Sequence, residues 1–208
     1  MLRKGFVEAE DAAVQRAYLE LFPPTEAMPE LREPLTRLAA SKPDVRFKAI
    51  QAIVKSVFRE NSIELDQWAS DPRTTGALID GLADSDTKVL EKLADVLRLI
   101  LKRHLADLRA FDPLLPLLSH PSKKVRAGAV MGIGELAHED RWRVLLPLFE
   151  DKSVDVRREL VRQVVLKGTS GSIPSSLKPK YKEALRKLLD DDDKTTSQMA
   201  DTALKHLE

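Results

Sequence analysis

The chain has 208 residues, of which 43% are hydrophobic and 32% are charged, with 34 lysines and arginines against 33 aspartates and glutamates. This length suffices for one large domain or two small ones, and the net charge of +1 gives no overall preference for nucleic acid or membrane. Cysteine is absent, which excludes disulfides, thiolate metal sites and a cysteine nucleophile. Because no long apolar run or signal-peptide pattern occurs, we expect no membrane span and a cytoplasmic location.

The first predicted element is an N-terminal cap helix over about residues 10–22. Val14, Tyr18 and Leu21 recur on one side of it at helical spacing. The helix ends at residues 23–24, because two consecutive prolines cannot continue the hydrogen-bond ladder.

Five helix pairs follow, and they align on the residue that opens the second helix of each pair. These residues, which we call the anchors, are Val45, Val89, Val125, Val156 and Thr196. A large apolar residue precedes each anchor by seven positions: Leu38, Leu82, Leu118, Phe149 and Leu189. A small or apolar residue follows each anchor by four: Ala49, Leu93, Ala129, Leu160 and Ala200. The intervals between anchors, 44, 36, 31 and 40 residues, are typical of two-helix repeats.

The turn within each pair is rich in Asp, Ser and Pro, residues that cap a following helix and complement its dipole. The run Asp190 to Asp193 fits this capping role better than cation binding, since it lacks the glycine and closing glutamate of a calcium loop. The last pair is polar around Thr196, as expected of a terminal repeat with one face in water.

The motifs Asp44-Val45-Arg46, Lys124-Val125-Arg126 and Asp155-Val156-Arg157, with Pro116 and Pro147 inside the first helices, resemble HEAT repeats, particularly the short bacterial phycobilisome-lyase-type kind. The resemblance covers roughly residues 30–208 and implies an all-α fold. We expect one domain over residues 1–208, a right-handed α-solenoid of about five helix pairs plus the N-terminal helix. The repeats are predicted at about 30–60, 73–104, 112–138, 142–167 and 180–208.

The resemblance also implies roles for single residues. Arg46, Arg126 and Arg157 are expected to form a structural ladder between neighbouring repeats. Trp68 and Trp142 are expected to pack at seams, the former on a short extra helix within residues 61–72. The Gly/Ser-rich stretch 168–176 is predicted to be a mobile surface loop.

Nothing in the sequence indicates catalysis, a metal site or a cofactor. The four histidines have no partner at metal-ligand spacing, and the glycines at 168 and 171 lack the ending of a phosphate loop. No Ser-His-Asp arrangement can be argued from sequence order. We therefore expect a protein that is not an enzyme.

In HEAT repeats the second helices line the concave face. On residues 45–60, 87–103, 122–137 and 154–167 there are 16 basic and 6 acidic residues, but helical phase reduces the exposed stripe to six basic and three acidic ones. The predicted partner-binding residues lie on this stripe: Lys48, Gln51, Lys55, Arg59, Lys92, Leu99, Arg103, Gly128, Met131 and Arg162. Gly128 was expected to let a ligand approach the backbone. An alternative interpretation places Leu99 and Leu166 in a wide core stripe beside merely solvated lysines.

The stripe favours a non-enzymatic scaffold that binds a protein or peptide segment with acidic and apolar positions. The alternative is a HEAT-like DNA-binding protein or alkylpurine DNA glycosylase-type enzyme, which is similar in length and repeat type. Nucleic acid is disfavoured because no aromatic residue falls on the stripe and its basic excess is small. A bilin lyase subunit is a third possibility, although the repeat alone does not carry that activity.

Overall fold

The structure, a computed structural model, describes residues 28–59, 63–103, 108–136, 138–168 and 172–207. Within these ranges the chain forms helices, short 3-10 turns and loops, without a strand. The all-α prediction is confirmed. None of the helices in these ranges is long and apolar enough to span a membrane. The predicted cap helix at about residues 10–22 lies outside the described residues.

The chain divides into two compact units, residues 1–77 and 78–208. In the described part of the first unit the helices are α1 (Arg32–Arg37), α2 (Pro43–Arg59), α3 (Ile63–Ala69) and most of α4 (Pro72–Asp80). Helix α1 packs on α2. Helix α3 is the predicted extra helix, and it buries Leu65 and Trp68. A single domain over residues 1–208 stays a prediction.

Among its described residues, the second unit contains the end of α4 and seven further helices. They are α5 (Thr87–Arg103), α6 (Phe111–Leu114), α7 (Lys123–Glu135), α8 (Arg141–Leu145), α9 (Val154–Gly168), α10 (Lys178–Lys187) and α11 (Lys194–Leu207). The long helices α5, α7, α9 and α11 pack in that order, each against the next. They are the second helices of the predicted pairs.

Proline divides the first helices of the third and fourth pairs. Helix α6 ends before Pro116 and continues as a 3-10 turn over Pro116–Ser119. Helix α8 likewise gives way to a 3-10 turn over Leu146–Glu150, which contains Pro147. A proline has no N–H to donate, so the α-helical ladder is interrupted where each one enters. The expected kink is therefore a change of helix type.

The predicted anchors mark the core of the second unit. All of its anchors are buried: Val89, Val125, Val156 and Thr196. So are the residues four positions later: Leu93, Ala129, Leu160 and Ala200. Residues one helical turn apart lie on the same face, and this face packs against the first helices and the neighbouring second helices.

An aromatic cluster joins the last two repeats. The ring of Tyr181 packs edge-on against Trp142 at 5.8 Å and against Phe149 at 5.3 Å, measured between centroids. Its hydroxyl donates a 2.6 Å hydrogen bond to the carbonyl oxygen of Trp142. Burial raises the pKa of Tyr181. The seam-packing role predicted for Trp142 is confirmed.

The stretch 168–176 is not the uniformly mobile loop that its composition predicts. Residues 169–171 lie outside the described residues, but Ile173 is fully buried. The hydroxyl of Ser172 donates to the carbonyl oxygen of Lys167 at 2.8 Å. An apolar side chain within a Gly/Ser-rich segment was the signal that this loop is anchored.

Candidate binding site

A buried ion pair connects the third and fourth repeats. Nε and Nη2 of Arg126 donate to the two carboxylate oxygens of Asp151 at 2.7 and 2.8 Å. Nη1 donates to the carbonyl oxygens of His120 and Pro121 at 2.9 and 3.0 Å. The two charged side chains are only 6% and 8% exposed. One guanidinium thus ties the turn before its own helix to the turn of the next repeat.

The fourth and fifth repeats are joined in the same way. Nε and Nη2 of Arg157 donate to Asp191 at 2.7 and 3.0 Å, and Nη1 donates to the carbonyl oxygen of Asp151 at 2.8 Å. The hydrogen bonds from Arg157 lower the pKa of Asp191. The ladder predicted for Arg126 and Arg157 is confirmed. Arg46 also contacts the turn before its own helix, donating to the carbonyl oxygens of Ala40 and Ser41.

The ladder is interrupted between the second and third repeats, and both of its members are replaced there. Leu90 stands where the other repeats carry the arginine, and it is buried. His120 stands where Asp151 and Asp191 stand in the following repeats. Its Nδ1 still accepts the N–H of Ser122 at 3.1 Å, as the aspartates accept the N–H two residues later. The local turn is retained, the arginine–aspartate pair is lost, and the hydroxyl of Ser122 donates to Glu91 of the second repeat at 2.7 Å instead.

The second helices present a row of residues that are not buried, at positions 3, 6 and 10 after each anchor. We call this row the open stripe. In the second unit its described members are Lys92, Asp95, Gly128, Met131, Glu135, Glu159, Arg162, Leu166, Met199, Thr202 and His206. Leu166 is 50% exposed, so it does not belong to the core as the alternative interpretation had it. No Trp, Tyr or Phe occupies these described positions.

In the second unit the lysine, arginine and carboxylate members of the open stripe are engaged in ion pairs. Arg162 donates two hydrogen bonds to Glu159, at 3.0 and 2.6 Å, and Gln163 donates a third at 2.8 Å. The pKa of Arg162 is raised by these bonds. Between helices, Nζ of Lys167 lies 2.8 Å from a carboxylate oxygen of Glu135. In the second unit the described members of the stripe, together with the adjoining Lys167, are therefore neutral in formal charge.

The predicted partner-binding residues are placed unevenly. Lys48, Gln51 and Lys55 are exposed on α2 in the first unit. Lys92, Met131 and Arg162 are half-buried in the second unit, and Lys92 pairs with Asp95 at 3.3 Å. The side chains of Arg59, Leu99 and Arg103 lie outside the described part of the chain. Whether the placed residues bind a partner stays a prediction.

Gly128 serves helix packing. A Cβ at this position would lie 2.3 Å from the Cβ of Ala94 on α5, far inside van der Waals contact. Gly134 plays the same role on the other side of α7, where a Cβ would lie 2.6 Å from Oε1 of Gln163 on α9. Both glycines thus allow close approach of a neighbouring helix, and the approach of a ligand is not needed to explain either one.

Helix pairs stacked through an arginine–aspartate ladder define an α-solenoid. Residues 75–166 match the family of HEAT repeats. No curated protein sequence matches the chain. The phycobilisome-lyase-type subtype stays a prediction.

Solved structures agree with this fold over nearly the whole chain. A chain from a structure of computationally designed armadillo repeat proteins for modular peptide recognition has a TM-score of 0.67 and 17% identity, with 98% of this chain and 97% of that chain covered. A designed armadillo repeat protein in complex with the peptide (KR)4 has a TM-score of 0.61 and 17% identity over the same shares. An engineered protein has a TM-score of 0.62 and 18% identity over 85% of this chain, which spans 47% of that protein. At such identities the likeness establishes the HEAT/armadillo solenoid fold alone.

Proposed function

We propose that the chain is a non-enzymatic interaction module that binds a segment of another protein along the open stripe. The observation that carries the proposal is the half-exposed side chain of Leu166 on α9, whose other described side chains are buried or half-buried. Met131, on the preceding second helix, is also not buried. Large apolar side chains that are kept accessible on a rigid scaffold are typical anchors of binding surfaces. Lys48, Gln51 and Lys55 hold the same positions after their anchor on α2, and we propose a partner-binding role for them within the first unit.

The proposed partner is a segment with acidic and apolar positions. The cations of the open stripe would face its carboxylates, and Met131 and Leu166 would face its apolar side chains. Peptide binding has a precedent in this fold, because the designed armadillo repeat protein described above was solved with the peptide (KR)4. That peptide is basic, so the partner proposed for this chain is of the opposite charge.

Selection of random peptides on the immobilised intact chain tests the proposal. Peptides that bind the native chain are expected to lose binding by about three- to tenfold in Leu166→Ser, since burial of the exposed half of a leucine contributes about 0.7–1.5 kcal/mol. Leu189→Ser is the matched control, because Leu189 is 39% exposed on a 3-10 turn and lies outside the open stripe. Equal binding by both variants, or no selected peptide, would overturn the proposal.

Duplex DNA provides the competing outcome. A gel-shift assay is expected to show only weak binding, because the second unit's cations on and beside the open stripe already pair with carboxylates. Tight binding that falls steeply with salt would indicate phosphate contacts and favour the DNA-binding alternative.

A further inference from the structure

The ion pairs of the open stripe differ in depth between cation and anion. Lys167 is 34% exposed and its partner Glu135 is 8% exposed. Arg162 is 36% exposed and its partner Glu159 is 14% exposed. In both pairs the carboxylate is recessed and the cation stands toward solvent. A surface that is neutral in formal charge therefore presents positive charge at its outer layer, where a partner makes contact.

These two cations flank an apolar pair. The bridge between Glu135 and Lys167 sets the register of α7 against α9, because these residues stand 10 and 11 positions after their anchors. In this register Met131 lies at the level of Arg162, and Glu135 lies at the level of Leu166. Residues four apart adjoin on a helix, so Met131 and Leu166 are the apolar corners of one patch.

The ion pair on α5 differs from these two pairs in the exposure of its two side chains. There Lys92 and Asp95 are equally exposed, 41% and 44%, so their pair presents no outward excess of positive charge. The unequal depth on the open stripe thus occurs, among its described ion pairs, where α7 meets α9.

From this charge complementarity we propose that the patch of Met131, Arg162, Leu166 and Lys167 is the specificity subsite of the stripe, and that it takes an acidic residue beside a bulky apolar residue of the bound segment. The apolar side chain covers Met131 and Leu166, and its neighbouring carboxylate accepts hydrogen bonds from Arg162 or Lys167. The inference rests on the proposed function and adds to it the place and the chemistry of recognition.

Fluorescence anisotropy with three peptides of equal length tests it: alternating Glu and Leu, alternating Gln and Leu, and alternating Lys and Leu. The intact chain is expected to bind the Glu peptide at least about fivefold more tightly than the Gln peptide, which corresponds to about 1 kcal/mol from exposed charges. The Lys peptide is expected to bind most weakly. Arg162→Gln should lower this preference by about two- to fivefold, and Lys187→Gln, which changes an exposed cation on α10 outside the open stripe, should leave it unchanged.

The outcomes separate this inference from the proposed function. If the Glu and Lys peptides bind equally and both need Leu166, the chain binds peptides and the subsite assignment is wrong. If none of the three peptides depends on Leu166, the proposed function itself fails. Lys167 neutralises the charge of the recessed Glu135, so the conservative variant at this position is Lys167→Arg. This variant should keep the fold, checked by circular dichroism, and should also keep the preference for the Glu peptide.

Discussion

The ladder is interrupted at the seam between the second and third repeats, which we call the interrupted seam. Replacement of Arg126 and Asp151 by the residues of that seam measures how much one arginine–aspartate pair, or rung, of the ladder contributes to the free energy of unfolding. The variants are Arg126→Leu and Asp151→His, because the chain itself carries Leu90 and His120 at these positions of the seam. Both side chains of the rung are less than a tenth exposed. Removal of one partner leaves the other charge buried without compensation, which costs about 3–5 kcal/mol.

The double variant should cost far less than the sum of the single ones. Two independent losses would add to about 6–10 kcal/mol, more than many domains possess. Removal of both charges together leaves neither one buried alone, so we expect a total near that of one single variant and a coupling energy of about 3–5 kcal/mol. Loss of the bonds from Nη1 of Arg126 to two carbonyl oxygens is common to the single arginine variant and the double one, and it cancels from the cycle.

Urea denaturation followed by circular dichroism at 222 nm, the helix band, is the assay, and variants are compared only where the slope m is unchanged. The exposed pair Lys187 and Glu150, with side chains 60% and 76% exposed, is the control cycle. Its coupling is expected below about 1 kcal/mol. Additivity within about 0.5 kcal/mol in the Arg126–Asp151 cycle would refute the claim that the rung links the two repeats.

Three further predictions follow from single contacts. Leu90→Arg should destabilise the fold by about 3 kcal/mol or more in urea denaturation, and addition of His120→Asp should recover at least about 1 kcal/mol by building the missing rung; no recovery would mean that the turn cannot reach the new guanidinium. Gly128→Ala should cost about 1–3 kcal/mol because its Cβ meets α5 at 2.3 Å. Gly76→Ala, where a Cβ meets nothing within 4 Å, should stabilise by about 0.5–1 kcal/mol, and equal effects of the two changes would contradict the packing. Because the pKa of Asp191 is depressed in the folded state, its contribution to the free energy of unfolding is complete above the unfolded pKa of about 3.9 and is lost as pH falls through the lower folded pKa. Asp191→Asn should therefore flatten this part of the curve of stability against pH. An unchanged curve would exclude the carboxylate as the source of the pH dependence.

The repeat spacing alone was sufficient to predict the helix pairs. Val125 and Val156 are buried as the alignment requires, and Ala129 and Leu160 lie beside them in the core. Such positions follow from the period of one helix, which a sequence displays directly. The ladder arginines were also recognised as structural, but their acceptors lie 25 and 34 residues further along the chain. The pairing depends on how one repeat stacks on the next, which the helical period does not contain.

The interrupted seam shows what an internal comparison can add. Leu90 departs from the arginine position and His120 departs from the aspartate position of the following repeat. Taken alone, each of these two replacements looks like an isolated irregularity. The pairs Arg126–Asp151 and Arg157–Asp191 show that the two positions contact each other across a repeat boundary. The paired replacement then has a simple physical reason, because a lone buried aspartate or arginine would cost more than the absence of both.

The same geometry explains why the count of charges overestimated the positive character of the stripe. Arg126 and Arg157 count among the 16 basic residues of the second helices, yet both form ion pairs with aspartates of the ladder. Arg162 counts as well, and it is paired on its own helix. The charge that a partner contacts depends on how exposed each charged side chain is. Exposed cations contact the partner directly, whereas the recessed carboxylates lie behind them. Selectivity for an acidic segment would then arise on a face of almost no net charge, and replacement of Glu159 by Gln should strengthen binding of the Glu peptide while it leaves the Gln peptide unaffected.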